Sequence, residues 1–166
     1  MPMLALLEIQ GIPGEHIDKQ DPRLDGKIEL LSYNWGFSQA GSLQVGASLA
    51  TGGVTVQDIT ITKYLDKSSP LILEKCCTGE KIDKAILRCV RTGTAAGPHV
   101  YLEIEMDRMI VSGYATSGTP GDGGVPMETI SLNFARVNIQ YFNVDERGQA
   151  AGVTKAGYDI AENRSM

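Results

Sequence analysis

Between His99 and Arg108, Val100, Leu102, Ile104 and Met106 fall on one face of an extended chain, while Tyr101, Glu103, Glu105 and Asp107 fall on the other. Strict alternation of this kind describes a half-buried strand. The same reading gives strands over Met3 to Gln10, Lys27 to Phe37, Val54 to Lys63, Lys84 to Thr92 and Glu128 to Asn143, each bounded by Gly, Pro, Asp or Ser. The chain is therefore expected to be mainly β, a small barrel or sandwich.

Two of these strands change parity. Val54 and Val56 are even and Ile59 and Ile61 odd; Ile130, Leu132 and Phe134 are even and Val137, Ile139 and Tyr141 odd. A bulge or sharp bend is predicted near Gln57-Asp58 and near Ala135-Arg136, because side chains alternate with a period of two and one residue has to be absorbed. Such bends let one strand serve two sheets. A single stretch follows the helical period: Ser69 as N-cap, Pro70 at N1, Gly79 as terminator, and Ile72, Leu73, Cys76 and Cys77 as the packed face. Three Gly-, Ala-, Ser- and Thr-rich segments, Ser38 to Gly53, Gly113 to Pro126 and Asp145 to Gly157, read as long loops, and loops of that length in a compact chain usually carry function.

Reactive chemistry is hard to assemble from these residues. Gly41 to Ser48 has the glycine spacing of a phosphate-binding loop but Ala47 in place of its lysine, and Gly118 to Gly124 lacks a surrounding βα unit. His16 reads as a loop residue near Gly14 and His99 as the polar start of a strand, so a nucleophile-base pair is not favoured. Glu103 and Glu105 share a strand face at about 7 Å, the separation of i and i+2 on a strand, and read as a solvated or interface pair. No set of ligands has metal spacing, and no cofactor is expected. Cys76, Cys77 and Cys89 form an odd count with two neighbours in sequence, which suits packing in a reducing compartment better than a disulfide framework.

Composition narrows the partners. Fifteen Lys and Arg against twenty Asp and Glu give a formal charge of −5, so no net positive field attracts nucleic acid or an anionic membrane. The N-terminal run Met1 to Leu7 has no basic residue ahead of it and meets Glu8 early, so neither a signal peptide nor a membrane anchor is expected.

The stretch Gly26-Lys27-Ile28-Glu29-Leu30-Leu31-Ser32-Tyr33-Asn34-Trp35-Gly36-Phe37-Ser38-Gln39, followed by Val56 to Pro70 with Val56-Gln57-Asp58 and Thr62-Lys63-Tyr64, resembles the haemolysin-coregulated protein (Hcp) family. The likeness continues through Cys77-Thr78-Gly79, Tyr101 to Ile104, Ile110 to Ser112, Glu128 to Val137 and the tail Lys155 to Asn163. The resemblance implies a two-sheet β-barrel flanked by one short α-helix with long glycine-rich loops. It spans one tube domain over residues 1–166, with 1–144 as barrel and helix and 145–166 as a C-terminal extension.

It further implies a structural, non-enzymatic subunit of the type VI secretion tube. Ring-shaped homohexamers would stack into a hollow tube that sheath contraction expels. The implied partners are further copies of itself, a spike protein at the tip, the contractile sheath and small effector proteins in the lumen. The protein would be cytoplasmic before firing and secreted afterwards.

A chain of this length packs into a sphere about 40 Å across, and six such spheres in a ring leave a hole about one sphere wide. Ser42, Leu43, Gln44 and Val45 are the expected inter-ring contact. Thr116, Ser117 and Thr119, small and uncharged, are the expected lumen or rim. Trp35, Gly36, Asp58, Tyr64 and Pro70 are assigned to structure. A tail-tube component of another phage-like contractile particle is the main alternative, which Val56-Gln57-Asp58 and Thr62-Lys63-Tyr64 disfavour, and a thiol-dependent enzyme is the outsider.

Overall fold

The structure is a computed structural model, and it describes residues 3–39, 54–121, 123–145, 147 and 149–166. Eleven strands and one helix occur among them: β1 Met3–Ile9, β2 Ile28–Leu30, β3 Ser32–Asn34, β4 Phe37–Gln39, β5 Val54–Val56, β6 Ile59–Tyr64, α1 Ser69–Thr78, β7 Ile82–Arg91, β8 His99–Ser117, β9 Met127–Val144, β10 Ala150–Asp159 and β11 Arg164–Ser165. The chain is mainly β with one short helix, as its alternation predicts.

Antiparallel pairing runs β2-β1-β7-β8-β9-β10-β11, and β6 lies beside the first third of β9. The predicted strand over Lys27 to Phe37 is divided in three. Residues 28–30 pair with β1, residues 32–34 pair with β6, and residues 37–39 pair with β5 in a separate two-stranded ribbon. Because β2 and β3 are one stretch of chain serving β1 and β6 in turn, the path of paired strands returns on itself.

Both predicted bends are present, by different means. At Gln57 and Asp58 the strand ends and restarts, so that β5 belongs to the ribbon and β6 to the large sheet. At Ala135 and Arg136 the register of β8 on β9 does not slip: Met106 faces Val137 and Met109 faces Phe134. Both partners change buried face together there, at Arg108 on β8, which takes the left-handed conformation with φ +53°. One core therefore collects Ile104, Met106, Met109 and Val111 from β8 and Ile130, Leu132, Phe134 and Val137 from β9, with Leu7, Ile28, Ile59, Ile61 and Leu87 around them. A smaller cluster on the other side of β1 joins Leu6, Val90 and Val100 to Leu24, carried by the segment 11–27 that crosses that face. That segment lies tight against the strand leading to β2. A Cβ at Gly14 would stand 2.2 Å from the Lys27 carbonyl oxygen, a contact only glycine permits.

All three predicted loops contain strand: the first begins with Ser38 and Gln39 of β4, and the other two contribute longer stretches. Gly113 to Ser117 extend β8 beside Met127 to Ser131, after an extra residue at Ser112. Ala150 to Asp159 form β10 on the outer side of β9. Small residues carry little β-propensity of their own, and here a long neighbouring strand supplies the pairing.

The helix is one residue displaced from its predicted cap. Ser68, not Ser69, is the N-cap, and Gly79 ends the helix at φ +65° with its N–H donated to the Lys75 carbonyl. Ser69 is otherwise engaged: its Oγ accepts the Asp66 N–H at 3.0 Å and lies 3.1 Å from Lys63 Nζ. Ile72 is buried and Cys76 packs on the core, whereas Leu73 and Cys77 are exposed, contrary to expectation. Residues adjacent in sequence stand about 100° apart on a helix, so a narrow contact with the sheet takes only one of each pair.

Lys63 is fully buried. Its ammonium sits 2.7 Å from Glu128 Oε2, 2.9 Å from Asp66 Oδ1 and 2.9 Å from the Tyr64 carbonyl, and Tyr114 donates its hydroxyl to the other oxygen of Glu128. Burial and this acceptor push the Tyr114 phenol up to about 12. The cluster ties β6, β8 and β9 to the start of α1. Removing one ion of a buried pair strands the other, so Glu128→Ala is expected to cost about 3 to 5 kcal/mol in chemical denaturation, with most of it restored in Lys63→Met/Glu128→Leu. A single variant within about 0.5 kcal/mol of the parent, the ordinary range of a surface substitution, would show that the pair does not anchor the helix.

At the far edge, the Asp159 carboxylate accepts the Glu162 N–H at 2.9 Å and Arg136 Nε at 2.7 Å, and these hold it below the usual carboxylate range. A depressed folded-state pKa stabilises above the unfolded value of about 3.9 and is lost as pH falls through the lower folded value. Amide protection at Tyr158 and Asp159 should therefore fall in acid, after correction for intrinsic exchange, and this dependence should vanish in Asp159→Asn. Protection independent of pH in the parent would contradict it.

Candidate assembly surfaces

Three of the five residues assigned to structure, Trp35, Gly36 and Asp58, lie at the corner between β5 and β6. Gln57 donates its N–H to the Gly36 carbonyl at 2.9 Å, and a Cβ at Gly36 would approach Gln57 Oε1 to 3.2 Å. Asp58 accepts Ser112 Oγ at 2.6 Å and Asn133 Nδ2 at 2.8 Å. Ser112 is the extra residue of β8, so the bulge there aims a hydroxyl at the corner. Trp35 packs its partly buried ring on the core and meets Phe37 edge-on, with centroids 4.9 Å apart. Tyr64 is different: its carbonyl serves Lys63, while its half-exposed ring lines a shallow cleft with Leu31 and Leu65. Pro70 is exposed in the first turn of α1.

Thr116 and Ser117 end β8 opposite Glu128 and Met127, with Thr116 Oγ1 donating to the Met127 carbonyl at 3.3 Å, and Thr119 follows them toward the turn. All three are exposed. Beside them, Val125, Met127, Tyr64 and Leu65 form an exposed apolar band, held where the Leu65 N–H meets the Pro126 carbonyl at 2.9 Å. Ser42, Leu43, Gln44 and Val45 lie outside the described residues; the ribbon of β4 and β5 carries the segment that contains them.

Sequence reasoning missed the most open surface. Residues 150–156 of β10 are exposed on both faces, and among the described residues only β9 pairs with them. Among the described residues the outer side of β10 is occupied only near its end, where β11 meets Tyr158 and Asp159 and the Met166 N–H meets the Gly157 carbonyl. Val153-Thr154 is the only β-favouring pair in a run of Ala, Gly and Lys, which is why the segment reads as a loop.

The candidate reactive groups are placed apart. Cys89 is buried in the core, where burial pushes its thiol up, and it donates to the Tyr33 hydroxyl at 3.5 Å. Glu103 pairs with Arg88 at 3.1 Å and Glu105 with Lys84 at 3.1 Å, each across to β7. His16 reaches Glu29 at 3.4 Å, and His99 opens β8. Among the described residues no group of three His, Cys, Asp or Glu is placed to hold a metal ion.

Residues 6–141 match the family model described as "Type VI secretion system effector, Hcp". The chain is 33% identical over 158 residues to Protein hcp1 of Pseudomonas aeruginosa, covering 95% of this chain and 94% of the relative. The crystal structure of Hcp1 from Salmonella typhimurium superposes with a TM-score of 0.79 at 30% identity, over the whole of both chains. A structure described as that of a type six secretion system protein has the same fold, with a TM-score of 0.88 at 22% identity over 99% of this chain and all of the other. An Hcp-like β fold with one short helix, and a sequence matched along most of its length, place this chain in the Hcp family, the secreted, non-enzymatic tube proteins of type VI secretion.

Proposed function

We propose that this chain is a ring-forming tube subunit: six copies close through one repeated contact, the rings stack, and sheath contraction drives the tube, with a spike protein at its tip and small effectors in its lumen, out of the cell. A cyclic ring repeats a heterologous contact, so each copy needs two different complementary faces. The observation that carries the reading is the β10 edge. An edge strand with no second neighbour among the described residues over the seven positions 150–156 is a template for another chain, and small or charged side chains there keep the lone subunit from pairing indiscriminately. The ribbon of β4 and β5 supplies a second, unlike face, paired with no other strand among the described residues. In this reading the segment from Ser42 to Val45 reaches the next ring, and Thr116, Ser117 and Thr119 line the lumen or its rim.

Native mass spectrometry should give a species of six times the subunit mass, and Val153→Arg, which sets a long cation on the open strand, should shift it toward monomer without unfolding. Monomer alone across a wide concentration range would overturn the proposal. Deleting Leu43 to Ala50 should leave rings intact and abolish stacked tubes, whereas unchanged tubes would remove that segment from the inter-ring contact. Thr119→Arg should preserve rings and lower effector export; undiminished export would place Thr119 away from the cargo.

A further inference from the structure

Four of the arginines in this acidic protein already hold a carboxylate: Arg23 with Asp21, Arg88 with Glu8 and Glu103, Arg136 with Asp159 and Arg164 with Glu162. Arg91 and Arg147 have no carboxylate partner among the described residues, and they line the same cleft. Its volume is about 500 Å³, and His99, Tyr141, Asn143 and Asp145 share its walls. The cleft lies at one end of the large sheet. Arg91 ends β7, His99 begins β8, and Arg147 sits in the turn between β9 and β10.

The walls are held by contacts that leave both guanidinium groups without a carboxylate partner among the described residues. The Arg91 guanidinium stacks 4.9 Å above the Tyr101 ring, an arrangement that fixes the cation without neutralising it. The turn joining β7 to β8 closes through the Gly97 N–H and the Thr94 carbonyl at 3.1 Å, with Gly97 at φ +95°, and sets His99 at the strand start. Asp145 puts a carboxylate in the same place, but its Oδ1 is spent on the backbone N–H groups of Arg147 at 2.9 Å and Gln149 at 2.8 Å, which build the turn. His99 Nε2 is buried and has no hydrogen-bond partner among the described residues, and a buried polar atom without one is costly. An anion would complete this arrangement, accepting from both guanidinium groups and from an Nε2–H together.

We propose that this cleft binds a carboxylate group, seated between Arg91, His99 and Arg147. A planar carboxylate matches the guanidinium fork, and its single charge suits a cleft that already contains Asp145 better than a phosphate dianion does. A free small acid and an acidic side chain of a protein present the same group. The site does not depend on ring formation and is tested on the intact chain.

With only two histidines in the sequence, the His99 ring resonance is assigned by its loss in His99→Gln, and His16 serves as the internal control. The probes are N-acetylglutamate α-amide, its neutral glutamine counterpart, acetate and inorganic phosphate, each at constant ionic strength. The glutamate derivative should move the His99 resonance saturably and leave His16 in place, and the glutamine derivative should do nothing. Arg91→Gln and Arg147→Gln, with circular dichroism unchanged, should each raise the dissociation constant at least about 10-fold, the loss of one charge-assisted hydrogen bond. Acetate binding as tightly as the glutamate derivative assigns the site to free acids, and weaker acetate binding assigns it to a protein side chain. The proposal is overturned by the absence of a saturable shift, by an equal response to the neutral derivative, by tighter binding of phosphate, or by unchanged affinity in both arginine variants.

Discussion

A lysine with no contact with water stands at the junction of this fold. Lys63 projects from β6 toward Glu128 of β9 and toward Asp66 and Ser69 at the entry to α1, while Tyr114 of β8 completes the hydrogen bonding of Glu128. A buried ion pair contributes little net stability compared with apolar packing, but it tolerates only the geometry that satisfies every polar atom. The order of strands β6, β9 and β8 and the seating of the helix therefore follow from one charge that has nowhere else to go. Asp66 extends the constraint by binding the Ser68 N–H at 2.9 Å and so fixing where the helix starts.

Around that junction the long strands divide their partners. β9 pairs with β8 along nearly all its length, with β6 over 127–132 and with β10 over 136–144. The shared change of buried face at Arg108 and Ala135 lets one hairpin line the core with both halves without breaking the ladder. Beyond the bend the sheet outgrows what it can cover. The only helix among the described residues packs on β8 near the junction, leaving β10 and the β4-β5 ribbon at the periphery. For a lone globular protein such edges are a liability; for a subunit of a repeating assembly they are where assembly happens.

Much of this was legible in the sequence because burial on one face writes itself as alternation. β6, the first half of β8 and β9 follow it, whereas β1 and β7 bury both faces at Ala5 to Leu7 and Leu87 to Val90 and show as apolar runs, and the parity changes at Gln57-Asp58 and Ala135-Arg136 marked the real bends. The helix was visible from Pro70 and Gly79, but its cap was misplaced by one residue because the Ser69 hydroxyl turns inward to Lys63. Gly113 to Ser117 and Ala150 to Asp159 were invisible as strands, since their small residues leave no alternating imprint and a neighbouring strand supplies the pairing. The Lys63–Glu128 pair joins residues 65 positions apart, a contact that no local pattern encodes. The conspicuous motif Thr62-Lys63-Tyr64 matters chiefly through its central residue, whose aliphatic stem is core and whose charge is met by Glu128.

In the proposed assembly the open β10 edge and the β4-β5 ribbon are the two faces of one repeated subunit contact. Electron cryomicroscopy of the purified protein tests it most directly. Sixfold rings are expected, in which β10 of each subunit lies against the ribbon side of its neighbour around a central hole. Rings joined through other surfaces, with residues 150–156 facing solvent, would contradict it.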